Sequence, residues 1–422
     1  ELLIGDNRSR TEVTYTWISV ALVLGWLVAL RLQNAWRQVL ARHGVLRSRF
    51  LLGERPLQLV QAEVELDWQD LDWRGVANFE AQLQAFCSAE RERGFALDQA
   101  PLLRLALIQR GAGDFVLVWT LHHLLLDGWS NGLLFAEVLA LYHGDRLPAP
   151  SSQFRDYISW LDGQDAAAEQ AFWREQLAPL DGATRIAACL PCRAPEQGHA
   201  RHPLPLDSAT EQQIRGFAQR HGLTLNTLVQ AAWALLLARL TGKRSLCFGA
   251  TVAGRPTELA GSEQMLGLFI NSLPVAVQLP AEQPLGDWLA ALQVQNLQLR
   301  EHEHSPLHDI QRWVGSAGEA LFDSLLVFEN YPLGDALKQA ERGELRLGLP
   351  QSHEFTHYPM TLAVLPGSRL ELLLAYDRAH FDANGIAQLE ALLRQALALV
   401  CSDPAQPLGS LALVGEAEQF LL

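Results

Sequence analysis

The chain has 422 residues, of which 49% are hydrophobic and 19% charged, and its net charge is -14. That length suits one large bilobal unit or two to three domains with cores of their own. Its 33 basic residues are scattered through an acidic chain, which makes nucleic acid a poor partner, since phosphate binding needs clustered Lys and Arg.

The apolar run Ile18–Leu30 follows Arg8 and Arg10, as the core of a signal sequence does. It is too short to span a bilayer, and no small-residue cleavage pattern follows it. It leads into Arg31–His43, where Leu32, Trp36, Val39 and Leu40 recur at helical spacing. The sequence therefore predicts a buried strand followed by a helix, in a cytoplasmic protein with no membrane partner. A hairpin is expected over Val45–Val60, turning at Gly53-Glu54-Arg55-Pro56, and a helix over 78–93. Two apolar runs, Leu102–Ile108 and Phe115–Leu121, flank Gly111-Ala112-Gly113-Asp114 and predict a second hairpin, with a helix from Trp129 to His143.

Residues 144–153, rich in Pro, Ser and Gly, mark a lobe boundary, giving lobes of 1–153 and 154–422. Helices are expected near 166–177, 208–221, 225–240, 285–302 and 383–400. Strands are expected near 245–252, 270–278, 322–329, 343–347, 358–364 and 369–376. Both halves mix helices and strands, so each reads as an α/β sandwich. A cleft between two such lobes is a common place for an active site.

The five cysteines, Cys87, Cys189, Cys192, Cys247 and Cys401, are odd in number and sparse, as in a reducing compartment. Cys189 and Cys192 form C-x-x-C with His199 and His202 downstream. The spacing is far shorter than a zinc finger's and the segment is Pro-rich, so it reads as a surface loop and no metal is expected.

The chemistry-bearing stretch is 121–132, LHHLLLDGWSNG, at the junction of an apolar strand and a helix. Alternation along a strand sends His122 and His123 to opposite faces, which disfavours a shared metal and leaves one imidazole for a cavity. A His with a free ring nitrogen there can serve as general base or transition-state hydrogen bonder. Asp127 ends the run at a turn eased by Gly128, and once buried it needs a cationic or hydrogen-bonding partner. Gly128-Trp129-Ser130-Asn131-Gly132 also fits G-x-S-x-G between strand and helix, the nucleophile elbow of a serine hydrolase, with Asp377 and His380 as formal partners of Ser130. No HGGG-like oxyanion loop precedes it, and that reading leaves the paired histidines unexplained.

The stretch His122–Ser130 resembles the HHxxxDG signature of non-ribosomal peptide synthetase condensation domains, including the Trp-Ser that follows it. Further segments match that family in order: RHGVLRSRF at 42–50, FRDYISW at 154–160, Gly254-Arg255-Pro256, GLFINSLP at 267–274, HSPL at 304–307 and LFDSLLVFENYP at 321–332. The resemblance runs from about residue 13 to 400. It implies two chloramphenicol-acetyltransferase-like lobes in a V around a central tunnel, with segments of the second lobe bridging onto the first. It further implies formation of an amide between donor and acceptor groups carried on phosphopantetheine arms. The partners so implied are upstream donor and downstream acceptor peptidyl carrier proteins and neighbouring adenylation or epimerization domains, and the domain itself holds no cofactor.

By the same resemblance His123 faces the tunnel, either taking the proton of the attacking amine or positioning that amine and stabilising the tetrahedral intermediate. His122 is structural, Asp127 pairs with Arg47, and Gly128 leaves room beside the acceptor amine. Trp129, Ser130 and Asn271 line the tunnel. Leu124-Leu125-Leu126, the GRP stretch, Phe269-Ile270-Asn271 and the VFENYP segment are similar to domains taking a D-residue donor and an L-amino-acid acceptor. The family's opening S/P-x-Q motif has no match in Glu1–Trp17. Related readings remain: an epimerization domain, although its Glu-Gly-His-Gly-Arg stretch is not found; a heterocyclization domain, which carries Asp for the first His; a recruitment domain, which typically has lost the second; and a scaffold that only holds carriers.

Overall fold

The structure is a computed structural model that describes residues 13–21, 25–54, 56–190, 192–316, 318–329, 345–348, 351–353 and 356–411. The architecture is a two-lobed α/β fold. One compact unit takes the chain as far as Gln164, together with Arg255–Ile270 and two short strands, Arg346–Leu347 and Gln351–His353. The other takes Asp165–Gly254, 271–329 and 356 onward. The expected boundary at 153 thus falls before the division. Helix Phe154–Asp162 stays with the first unit because Phe154 and Tyr157 pack on Phe269, with ring centroids 5.3 and 4.5 Å apart.

In the first unit β1 (Val13–Ala21) leads to α1 (Gly25–Arg42), and β2 (Ser48–Leu51) and β3 (Leu57–Val60) form the expected hairpin. Next come β4 (Asp67–Asp72), α2 (Phe79–Arg93), β5 (Leu103–Gly111), β6 (Asp114–His122), α3 (Gly128–Tyr142) and α4 (Phe154–Asp162). The main sheet runs Arg346–Leu347, β1, β6, β5, β4, and Gln351–His353 also pairs with β1. The β5–β6 hairpin turns through Gly113 at φ 73°, a value that suits glycine.

β6 is apolar from Phe115 to Trp119 because both its faces are covered there. Phe115, Leu117, Trp119 and Leu121 join a core with Trp36 and Val39 of α1 and Leu134, Phe135 and Val138 of α3. Val116 and Val118 face the other way, onto Leu83 and Cys87 of α2. Trp119 is the hub of the first core, edge-on to Trp36 at 5.2 Å and stacked on Phe135 at 6.2 Å. Burial of each such side chain stabilises by about 1.5–3 kcal/mol, and so fixes the strand whose end bears the two histidines.

The second unit contains α5 (Ala166–Leu177), β7 (His199–Leu204), α6 (Ser208–His221), α7 (Leu225–Thr241), β8 (Ser245–Val252), β9 (Asn271–Gln278), α8 (Leu285–Arg300), α9 (Leu307–Trp313), β10 (Ser324–Phe328), β11 (Met360–Pro366), β12 (Leu370–Asp377) and α10 (Ala383–Val400). Its sheet order is β7, β12, β11, β10, β8, β9. α7 is buried from Thr227 to Leu237 and forms the centre of this core.

Several short elements were not expected from the sequence: β4, β7, the strand Gln351–His353, α4 and α9. β4 reads DWQDLD and β7 reads HARHPL. Each lies at a sheet edge, where polar side chains and Pro203 are tolerated and no apolar run need mark the strand. α4 and α9 have nine and seven residues, and Gln351–His353 has three, too few to establish a period. Cys189 and Cys192 are unpaired, and among the described residues no group of three His, Cys, Asp or Glu could hold a metal. No single described helix is long and apolar enough to cross a membrane; α6 and α7 reach that measure only together, bent by 112°. The 330–332 part of the VFENYP segment lies outside the described residues.

Candidate active site

β6 ends at His122 and α3 begins at Gly128, so residues 123–127, HLLLD, form the turn between them. His122 continues the face of Val116 and Val118 and is 1% exposed. Its ring lies edge-on to Phe95 at 6.4 Å, and its Nδ1 accepts the Leu124 amide at 3.2 Å. Through that bond the buried His122 ring shapes the turn. His123 is the first residue past the strand and is half-buried. Its ring makes no hydrogen bond or ion pair with any described residue. The two neighbours thus differ in burial, one ring held in the core and the other partly exposed.

Asp127 is the N-cap of α3. Its Oδ1 accepts the Ser130 amide at 2.7 Å and Arg255 Nη2 at 3.3 Å, and its Oδ2 accepts the amides of Phe269 and Ile270 at 3.0 and 3.3 Å. The carboxylate is 2% exposed, and these donors provide what a buried charge requires. The cation beside it is Arg255, 4% exposed, whose Nη2 also reaches Ser130 Oγ at 2.8 Å and whose Nη1 reaches the carbonyls of Ser262 and Met265. The guanidinium lies 4.1 Å over the Phe269 ring and 5.8 Å from that of Trp129. Burial draws the Arg255 pKa below its ordinary value and Asp127 opposes that shift.

This corrects the expected pairing of Asp127 with Arg47. Arg47 closes a short 3-10 turn after α1, and its guanidinium reaches the carbonyls of Leu40, Gln61 and Ala62, tying the end of α1 to the chain after β3. The sequence implied that a buried Asp127 needs a cationic or hydrogen-bonding partner. Arg255 belongs to the GRP stretch, but spacing could not choose between arginines on distant segments. We expect a double-mutant cycle of Asp127→Ala with Arg47→Ala to show additive losses in urea unfolding, because the two residues share no partner. A coupling above about 1 kcal/mol would restore the pairing with Arg47.

Ser130 also departs from expectation. It is 0% exposed, and its hydroxyl donates to the Gly267 carbonyl at 2.8 Å while accepting the Gly267 amide at 3.1 Å and Arg255 Nη2. A side chain so occupied lines no tunnel and is no nucleophile, which removes the structural basis for the hydrolase reading. Fluorophosphonate probes are expected to leave Ser130 unlabelled in the native protein; a labelled Ser130 peptide in a digest would contradict this burial. Gly267 must lack a side chain, since a Cβ there would stand 2.0 Å from the Phe154 ring. Trp129 is half-buried and donates from Nε1 to the Glu263 carbonyl at 3.0 Å. Gly128 is the first residue of α3. In the second unit Asn271 is 9% exposed and opens β9, with Nδ2 on the carbonyls of Glu303 and Ser305 at 2.9 and 2.7 Å.

The family model described as "Condensation domain" matches residues 12–422. The chain belongs to the condensation-domain family. This condensation domain is 39% identical to a linear gramicidin synthase polypeptide of Brevibacillus parabrevis, over 96% of its own length and 8% of that protein's. It is 36% identical to chondramide synthase cmdD of Chondromyces crocatus, over 90% and 10% of the two chains. It therefore spans only a small part of these curated relatives. The same fold occurs in the X-domain from teicoplanin biosynthesis, at TM-score 0.81 and 23% identity over 98% of this chain and 95% of that one. It also occurs in the first condensation domain of the calcium-dependent antibiotic synthetase, solved with a substrate analogue, at TM-score 0.74 and 19% identity over 97% and 95%.

Proposed function

We propose that this condensation domain joins a donor acyl group and an acceptor amine, each presented as a thioester on a carrier protein's phosphopantetheine arm, by an amide bond. The observation that carries the reading is the partly exposed His123 imidazole at the end of β6, on a turn fixed by buried His122 and Asp127. The acceptor nitrogen attacks the donor thioester carbonyl, the C–N bond forms, and the C–S bond of the tetrahedral intermediate breaks. The amine loses a proton and the departing donor thiolate gains one, while the product stays on the acceptor arm. His123 contacts the amine, either taking its proton or holding it and stabilising the intermediate. The reaction as proposed needs no resident cofactor. It implies upstream and downstream carrier proteins, with adenylation or epimerization domains as neighbours, in the cytoplasm.

The donor is proposed to end in a D-residue and the acceptor to be an L-amino acid. That preference is supported by Leu124-Leu125-Leu126, by Gly254-Arg255-Pro256 and by Phe269-Ile270-Asn271. The experiment offers donor carriers loaded with D- or L-aminoacyl groups against L-loaded acceptor carriers and reads the acceptor by intact-protein mass spectrometry. A mass gain equal to the donor acyl group is the expected result, faster with the D-donor. No gain with any loaded pair would overturn the amide-forming reading, and a faster L-donor would overturn the subtype alone.

A further inference from the structure

Loop 255–270 delivers to Asp127 three of its donors: the Arg255 guanidinium and the amides of Phe269 and Ile270. The residues on either side of that loop are Gly254 and Asn271, and one turn, 301–305, holds both. Glu303 Oε2 accepts the Gly254 amide at 2.8 Å. Asn271 Nδ2 donates to the carbonyls of Glu303 and Ser305. Val252 and Asn271 stand opposite each other in the β8–β9 ladder, so the two roots of the loop leave the sheet side by side.

The 301–305 turn is itself anchored on α5. His302 Nδ1 lies 2.8 Å from Glu169 Oε1, the Ser305 hydroxyl donates to Glu169 Oε2, and the His302 ring stacks on Phe172 at 3.6 Å. Glu303 is 16% exposed, and Arg300, itself 72% exposed, lies 3.8 Å away. Burial pushes the Glu303 carboxyl up, against a smaller lowering by the Gly254 amide. A glutamate whose charge is disfavoured where it sits, with a backbone amide of the loop root as its close partner, is placed for geometry more than for ion pairing.

We propose that Glu303 is a positioning residue for amide formation, acting by fixing the root of loop 255–270 and through it the donors that hold Asp127 and the His123 turn. The inference rests on the function proposed above. Gly254 is bonded directly to Arg255, so a displaced root moves the guanidinium relative to Asp127. Misplacement of about 1 Å at a reacting group is enough to cost on the order of a hundredfold in rate.

The test compares wild type, Glu303→Ala, Glu303→Gln and Glu303→Asp in single-turnover amide formation between loaded donor and acceptor carriers, read by intact-protein mass. Glu303→Ala is expected to lose about tenfold or more in rate at saturating carriers, while the apparent KM for the acceptor carrier changes less than about twofold. Glu303→Gln keeps an oxygen for the Gly254 amide and is expected to return to within about threefold of wild type. Glu303→Asp keeps the charge but withdraws the oxygen; it is expected to be as slow as Glu303→Ala and carries the test if the alanine protein does not fold. Wild-type rates in both Glu303→Ala and Glu303→Asp, or no recovery in Glu303→Gln, would overturn the role of Glu303 while leaving the proposed function standing. A wild-type domain that forms no amide with any carrier pair would overturn both.

Discussion

Replacement of His123 by alanine is expected to lower amide formation by about a hundredfold to ten-thousandfold, the range a positioned acid–base group supplies. The half-buried ring lies past the end of β6 and bonds to no described residue, so its loss leaves neither a buried donor unpaired nor a core cavity. The thermal midpoint is therefore expected to stay within about 2 °C of wild type, the behaviour of a substitution away from the core. Single-turnover rates at saturating loaded carriers, measured beside a melting curve, check both parts. A variant with undiminished rate removes His123 from the chemistry. His122→Ala should differ in kind, because it takes away the acceptor of the Leu124 amide and the partner of Phe95 from the core.

Asp127→Ala is expected to cost about 3–5 kcal/mol of stability, because it leaves Arg255 as an uncompensated buried cation. It also leaves the amides of Phe269 and Ile270 without their acceptor and α3 without its cap. For a unit of this size that corresponds to a fall of at least about 6 °C in thermal midpoint. Adding Arg255→Met removes the stranded charge and should recover part of the loss, since an apolar replacement of both partners is often tolerated where a half-broken pair is not. An unchanged midpoint in Asp127→Ala, or a double variant less stable than the single, would contradict the buried pair.

What was legible in the sequence follows from what periodicity records. The β5–β6 hairpin, α3, α7 and α10 carry long apolar signals because each is packed into a core. β4 and β7 were missed because one exposed edge relaxes the demand for apolar residues. In the site, the apolar run marked where β6 ends, and the two histidines at that end differ in burial. The partner of Asp127 depends on tertiary structure. Arg47 and Arg255 both lie far from Asp127 along the chain, and no pattern distinguishes the arginine that returns to α3 from the one that ties α1 to the chain after β3. Ser130 was expected to line the tunnel, but its hydroxyl binds an approaching backbone, that of Gly267, a partner no local pattern reveals.

The pairing of β1 has a consequence for synthesis on the ribosome. β1 is the first strand described, yet its outer neighbours are Arg346–Leu347 and Gln351–His353. Asp127 likewise waits for residues 255 to 270. At about 5–20 residues per second, the nascent chain passes on the order of 10–40 s between the emergence of Gln164 and that of His353 with one flank of β1 open. An uncovered strand edge invites pairing between neighbouring chains. A fragment cut at Gln164 should therefore aggregate, whereas the uncut chain seals that edge with its own late-arriving strands.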